Sequence, residues 1–238
     1  MAKSFSDVEY NYRHICENIA LAAQSVGKTA DDITFLAATK TVDAPTINHA
    51  ISLGLRYIGE NRVQELLSKY EDYDLEHASL QFIGHLQSNK VRQIVGKVDL
   101  IQSVDSEKLA REISRCSEKL GITTDILLEV NIGREENKSG VLPEALPELL
   151  EKVKDIPSVK VRGLMAIPPI SEDAQENCKF FDNMRNIFLD IGSKNIDNIS
   201  MDILSMGMSD DYEEAIRCGA NMVRVGSALF GARYYPTK

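Results

Sequence analysis

The stretch ITFLAATKTVD, residues 33–43, holds an apolar run from Ile33 to Thr39 that stops on Lys40. A run of this length, rich in β-branched and aromatic residues, fits a strand buried on both faces better than a helix. The same pattern recurs along the chain as RYIG (56–59), QFIG (81–84), DLIQSV (99–104), DILLEVN (125–131), VRGLMAI (161–167), MDILSM (201–206) and NMVRVG (221–226). Amphipathic stretches lie between the runs. Ser106 to Leu120 puts Leu109, Ile113, Cys116 and Leu120 on one face, Pro143 to Val153 opens on a proline suited to a first helical turn, and a third stretch covers Glu172 to Leu189. Before the first run, Ser6-Asp7-Val8-Glu9 reads as a capping box. It opens a helix with Val8, Tyr12, Ile15, Ile19 and Ala22 at helical spacing, ending near Gly27. Strands alternating with helices imply a parallel sheet, and eight such units predict a closed (β/α)8 TIM barrel of the α/β class with an extra N-terminal helix. No linker or low-complexity segment interrupts the series, so a single domain over residues 1–238 is expected.

Composition narrows the function classes. Hydrophobic residues make up 43% and charged residues 26% of the 238, as in an ordinary globular chain. The net charge of −9 argues against general affinity for nucleic acid or an anionic membrane. The N-terminus has no signal-peptide core, and no apolar run approaches membrane-spanning length. The four cysteines (Cys16, Cys116, Cys178, Cys218) form no CxxC pair, and the histidines show no ligand spacing with them. Reduced thiols, a cytoplasmic location and no structural metal are the expectation.

In such barrels, sites gather where strands end. The residues there are Lys40, Glu60-Asn61, His85 with Gln87, Ser103 and Asp105, Asn131, Met165, Ser205 to Ser209, and Arg224 to Ser227. SMGMSDD (205–211) and RVGSALFG (224–231) follow strands 7 and 8, the usual place of a phosphate site, with Ser209 and Ser227 at expected helix starts. Both serines could equally be plain N-caps, and Asp210 and Asp211 would oppose a phosphate unless they point outward. Closure of the barrel would set strand 8 beside strand 1, bringing Arg224 near Lys40. A lysine beside a fixed cation becomes a usable nucleophile toward an aldehyde. The plainer readings are a solvated Lys40 and an Arg224 paired to an acid such as Glu129. His85 could serve as a general base or be a simple loop histidine. Asn61 could cap a helix and leave Glu60 exposed. Lysine, cation and phosphate cup together suit a phosphorylated aldehyde, with pyridoxal 5′-phosphate (PLP) as the main candidate. A Schiff-base aldolase acting on a sugar phosphate needs the same lysine without the cofactor.

AATKT (37–41), IGENRVQE (58–65), FIGHLQSNK (82–90), GLMAIP (163–168) and LSMGMSDDYEEAIRCGANMVRVGSALFG (204–231) resemble the pyridoxal phosphate homeostasis family. The resemblance covers about Ile33 to Gly231. One departure stands before the FIG of the third motif, where the family often has an aromatic–histidine pair and this chain has Leu80-Gln81. The resemblance implies a fold-type III PLP barrel like the N-terminal domain of alanine racemase, here without a C-terminal β domain. It implies that Lys40 holds PLP as an internal aldimine and Arg224 faces the pyridine nitrogen. Ser209, Gly226 and Ser227 hold the phosphate, Asn61 and Met165 line the ring pocket, and Ser205 and Met208 also touch the cofactor. It further implies a monomer that buffers PLP and hands it to PLP-dependent apoenzymes, without established turnover. A small PLP-dependent amino acid racemase is the alternative.

Overall fold

A computed structural model describes residues 4–169 and 174–231. The chain opens with α1 (Phe5–Ser25), then runs β1 (Thr34–Ala38), α2 (Ala44–Ser52), β2 (Tyr57–Glu60), α3 (Val63–Lys69), β3 (Ser79–Phe82) and a 3-10 turn (Ser88–Gln93). It continues through β4 (Leu100–Val104), α4 (Glu107–Leu120), β5 (Thr124–Val130), α5 (Leu146–Val153), β6 (Val159–Ala166), α6 (Ala174–Ser193), β7 (Ile199–Ser205), α7 (Tyr212–Arg217), β8 (Met222–Val225) and α8 (Ser227–Phe230). All neighbouring strands are parallel and follow chain order, and β8 pairs with β1 to close the barrel. The expected eight-stranded barrel and its leading helix are both present.

The strands are buried from both sides, which explains their continuous apolar runs. One face packs on the helices, where Ile58, Phe82, Ile101, Leu128, Leu164 and Val223 join the larger core. The other face fills the barrel with Leu36, Ile83, Leu100, Leu127, Met165 and Met222. Polar residues on this inner face therefore stand in the barrel itself, and toward its C-terminal end they form the mouth.

Four details differ from the sequence reading. α1 is capped by Ser4, whose hydroxyl accepts from the Asp7 amide (3.2 Å) while the Asp7 carboxylate accepts from the Ser4 amide (3.0 Å). The Ser6–Glu9 frame loses because Asp at the third helical position caps as well as Glu, and Glu9 instead accepts from Arg13 at 2.8 Å. Leu120 ends α4 and is 57% exposed rather than part of its buried face. Pro143 starts a 3-10 turn (Pro143–Ala145), and α5 proper begins at Leu146. The helix expected from Glu172 is α6, beginning at Ala174; Glu172 itself lies outside the described residues.

α1 packs across α2, α7 and α8. Its Asn11 side-chain amide donates to the Leu229 carbonyl at 2.9 Å and that of Asn18 donates to the Tyr212 hydroxyl at 3.1 Å. The first helix thus braces the elements that follow β7 and β8. On the far side of the mouth, Gly84 lets the β3 loop touch the β2 loop. A Cβ at position 84 would stand 2.1 Å from the Asn61 carbonyl oxygen. Neither contact partner is a flexible side-chain end, so Gly84→Ala should destabilise the protein by about 3 kcal/mol. In a barrel of this size that is a fall in melting temperature of roughly 6–12 °C. An unchanged melting curve would show that the two loops can separate freely.

Candidate functional site

The mouth is built on a polar floor inside the barrel. The Arg224 guanidinium on β8 donates from Nη1 to Ser205 Oγ (2.6 Å) and from Nη2 to the Ala166 carbonyl (2.9 Å). Ser205 donates on to Gln102 Oε1 (2.7 Å), and Gln102 Nε2 donates to Gln81 Oε1 (2.6 Å). This chain of hydrogen bonds crosses from β8 through β7 and β4 to β3. Arg224 is 4% exposed, and burial pushes its guanidinium down to about 10, with the Glu129 and Asp211 carboxylates pulling the other way. Among the described residues it forms no salt bridge, so the expected alternative of an Arg224–Glu129 ion pair is not what holds it. A buried cation bonded only to neutral acceptors is costly unless an anion comes to it.

Strand register fixes the next layer. Glu129 on β5 stands opposite Met165 on β6, and Met165 stands opposite Ser205 on β7. On the other side Arg224 is opposite Leu36 on β1, four residues before Lys40. At about 3.3 Å of rise per residue, Lys40 lies higher toward the rim than Arg224, in the turn just beyond the adjacent strand and not in the same layer. The two do occupy one side of the mouth, as closure of the barrel requires.

The turn that carries Lys40 is held from α3. Thr41, just after it, adopts a left-handed conformation (φ 64°), unusual for a β-branched residue. Its amide donates to the Glu65 carboxylate. Lys69 Nζ donates to the Val42 carbonyl (3.0 Å) and the Thr39 carbonyl (3.4 Å), bracketing Lys40 on both sides. Lys69 is itself fixed by Glu60 Oε1 at 2.6 Å, which also accepts from the Thr39 hydroxyl (2.8 Å) and the Tyr73 hydroxyl (2.6 Å). Burial, followed by the Glu60 charge, drives the Tyr73 phenol well above its ordinary range, so it remains a donor. Glu60 is fully buried, which removes the plainer reading that left it exposed. The partner that permits this burial, Lys69, is a full α3 away in sequence. The pattern GEN…QE…K is thus a clamp on the β1 turn.

The loops after β7 and β8 meet as expected, with a changed division of labour. The Ser209 hydroxyl accepts from the amides of Gly226 (3.1 Å) and Ala228 (3.2 Å), so it caps α8 rather than its own helix. A hydroxyl that accepts twice keeps its proton to donate outward. Ser227 is the first residue of α8. Gly207 has φ 91°, and a Cβ there would lie 2.5 Å from that of Ala215, which makes glycine the residue this turn admits. Asp210 is exposed, as its charge demands. Asp211 instead turns back, and its carboxylate accepts from the Met208 amide at 2.6 Å. That amide is therefore spent within the loop, and burial raises the Asp211 carboxyl. Ser205 is wholly buried and bonded to Arg224, placing it in the floor beneath the loops after β7 and β8.

The IGENRVQE and FIGHLQSNK segments meet at the rim around a cavity of about 210 Å³ lined by Asn61, Arg62, His85, Gln87, Lys90 and neighbours. His85 is exposed there. Among the described residues four buried side-chain polar atoms lack a hydrogen-bond partner: Asn61 Oδ1, Ser103 Oγ and Glu129 Oε2 near strand ends, and Glu60 Oε2 beside the clamp. The sequence reading overlooked Gln81 and Gln102 as floor residues and considered Glu129 only as a partner of Arg224. The available signal was a polar residue inside each otherwise apolar run.

The parallel barrel with a basic floor, a clamped lysine and paired serine loops defines a class of protein, and comparison with known proteins names it. Residues 11–234 match the family model described as alanine racemase, N-terminal domain. The pyridoxal phosphate homeostasis protein of Aquifex aeolicus is 44% identical over 224 residues, covering 93% of this chain and 96% of that one. The protein of the same name from Pseudomonas aeruginosa is 40% identical over 231 residues, covering 97% of each. The structure of PipY from Synechococcus elongatus with PLP bound superposes with a TM-score of 0.78 at 33% identity, over 90% of this chain and 100% of that chain. The chain belongs to the alanine racemase N-terminal domain family and, within it, to the pyridoxal phosphate homeostasis proteins.

Removing the clamp cation should be severe. Lys69→Met leaves the Glu60 carboxylate buried without its counter-ion and should cost about 3–5 kcal/mol in denaturant unfolding. Glu60→Gln with Lys69→Met should recover most of that loss. Equal destabilisation by the single and double changes would show that the pair acts through packing alone.

Proposed function

We propose that this protein holds PLP reversibly on Lys40 and buffers or delivers it, acting as a cytosolic monomeric carrier for PLP-dependent apoenzymes. The observation that carries the reading is Arg224, a buried cation whose bonds end on neutral acceptors beneath the turn that presents Lys40. The partnerless Asn61 Oδ1, Ser103 Oγ and Glu129 Oε2 fit a polar ligand entering from above. Ser209, Gly226 and Ser227 would hold the phosphate, and Asn61 and Met165 would flank the ring. Met208 would contribute its side chain only, since its amide is engaged, and Ser205 would act through Arg224. When bound, PLP supplies an aldehyde that an amine can hold and release.

The residues decide between carrying and catalysis through charge. A guanidinium facing a ring nitrogen disfavours protonation of that nitrogen, because two cations would adjoin. That weakens the ring as an electron sink and favours holding over racemisation. Racemisation also needs an acid or base on each face of the substrate α-carbon.

The purified protein loaded with PLP should be coloured and should restore activity to an apoenzyme. It should exchange the α-hydrogen of alanine for deuterium at a negligible rate. Lys40→Ala should lose the colour while melting close to wild type, since the turn is held by backbone and clamp contacts. Rapid α-hydrogen exchange would establish the racemase instead. A Lys40→Ala variant that does not fold would make Lys40 a structural residue.

A further inference from the structure

Glu129 has been given no specific contact in the arrangement above beyond an unpartnered oxygen, yet it is 5% exposed and points into the mouth. Its direction follows from three observations. Leu127, two residues earlier on β5, belongs to the cluster inside the barrel, whereas Leu128 and Val130 belong to the outer core. Glu129 is level with Met165, which is level with Ser205. The charged groups that reach its carboxyl come from three other parts of the rim: Asp105 after β4, Arg224 on β8 and His85 after β3.

One carboxyl oxygen is satisfied, since the Ser139 hydroxyl donates to Oε1 at 2.8 Å from the loop after β5. That loop is itself fixed by Asn131, whose side-chain amide donates to the Glu135 carbonyl at 2.9 Å and whose Oδ1 accepts from the Glu135 amide at 3.1 Å. The other oxygen, Oε2, is buried without a partner. A buried carboxyl oxygen that no protein group satisfies is the mark of a ligand contact or of a retained proton. A protonated carboxyl can be both, because it donates.

We infer that Glu129 is a further ligand contact, its buried Oε2 meeting an oxygen of the bound cofactor and donating to it for as long as the carboxyl keeps its proton. The inference rests on the proposed PLP site. It gives the site a donor that is lost when Glu129 ionises, after which a carboxylate faces an anionic ligand. Burial, the largest influence on the group, holds its carboxyl above the ordinary carboxylate range, with Asp105 pushing the same way and Ser139, Arg224 and His85 opposing. Ligand retention should therefore be strongest at low pH within the folded range and weaken as pH rises through the raised value. The ligand-free protein shows the same sign. A carboxyl raised in the folded state contributes its stability below the ordinary value of 4.5, and that stability is lost as pH rises through the folded value.

The experiment measures PLP release into a carbonyl trap from pH 5 up to pH 9 for wild type, Glu129→Gln and Glu129→Ala. Borohydride mapping of each loaded protein first establishes that the ligand sits on Lys40. Glu129→Gln keeps a donor of the same shape, so it should retain PLP with a flatter pH profile than wild type. Glu129→Ala should release PLP about tenfold faster or more at the lower pH values. His85 is unaltered in both variants, so any slope it causes persists. Without ligand, Glu129→Gln should melt above wild type by a margin that widens with pH. Wild-type release rates in Glu129→Ala, with Lys40 labelled normally, would overturn the inference and leave the PLP site intact. Absence of label on wild-type Lys40 would instead overturn the site itself.

Discussion

A guanidinium buried inside a barrel is the constraint around which this molecule is arranged. Arg224 can occupy the inner face of β8 only because Ser205 and the Ala166 carbonyl accept its donors, and Ser205 can accept only because Gln102 and Gln81 continue the chain. Four strands are thereby given polar inner residues at one level. Those residues divide the barrel into an apolar plug below and a polar mouth above. The charge itself remains unmatched by any directly bonded carboxylate, a cost that an anionic cofactor in the mouth would offset through the field rather than by direct pairing. Binding of an anionic cofactor and stability of the barrel are in this sense one problem.

A second buried charge solves the opposite task. Glu60 lies on the outer side of β2 and is matched by Lys69, and the matched pair serves to fix a turn. Lys69 also reaches the carbonyls on either side of Lys40, and Glu65 takes the Thr41 amide that the left-handed backbone exposes. A lysine on a loose turn would sample many positions at the mouth. Here the backbone on both sides of Lys40 is hydrogen-bonded, which suits the role proposed for its side chain in holding and surrendering a ligand.

Much of this was legible in the sequence because parallel strands announce themselves as apolar runs, and the residue ending each run marks the mouth. That reading put Lys40, Asn61, Ser209 and Arg224 at or just beyond strand ends, where the structure has them. The shortest runs, RYIG and QFIG, located their strands but not their limits, since strands buried on both faces lack the alternation that would frame them. The burial of Glu60 was hidden because its partner is brought close only when α3 folds back on β2. Gln81 and Gln102 were hidden because a glutamine in an apolar run has no meaning until the register places both inside the barrel. The turned-back Asp211 could not be foreseen either, since its acceptor role depends on where the Met208 amide points. The misses at Glu60, Gln81 and Gln102 are tertiary pairings, whereas those at Asp211 and at the α1 cap are local choices between competing acceptors.

The account depends most directly on where the ligand is held. The decisive measurement is the visible absorption spectrum of the PLP-loaded protein before and after borohydride, with peptide mapping of the reduced sample. A yellow protein that bleaches on reduction and carries a single pyridoxyl group, on Lys40, is the expected result. A protein that takes up no PLP, or that carries the group on a different lysine, would contradict it.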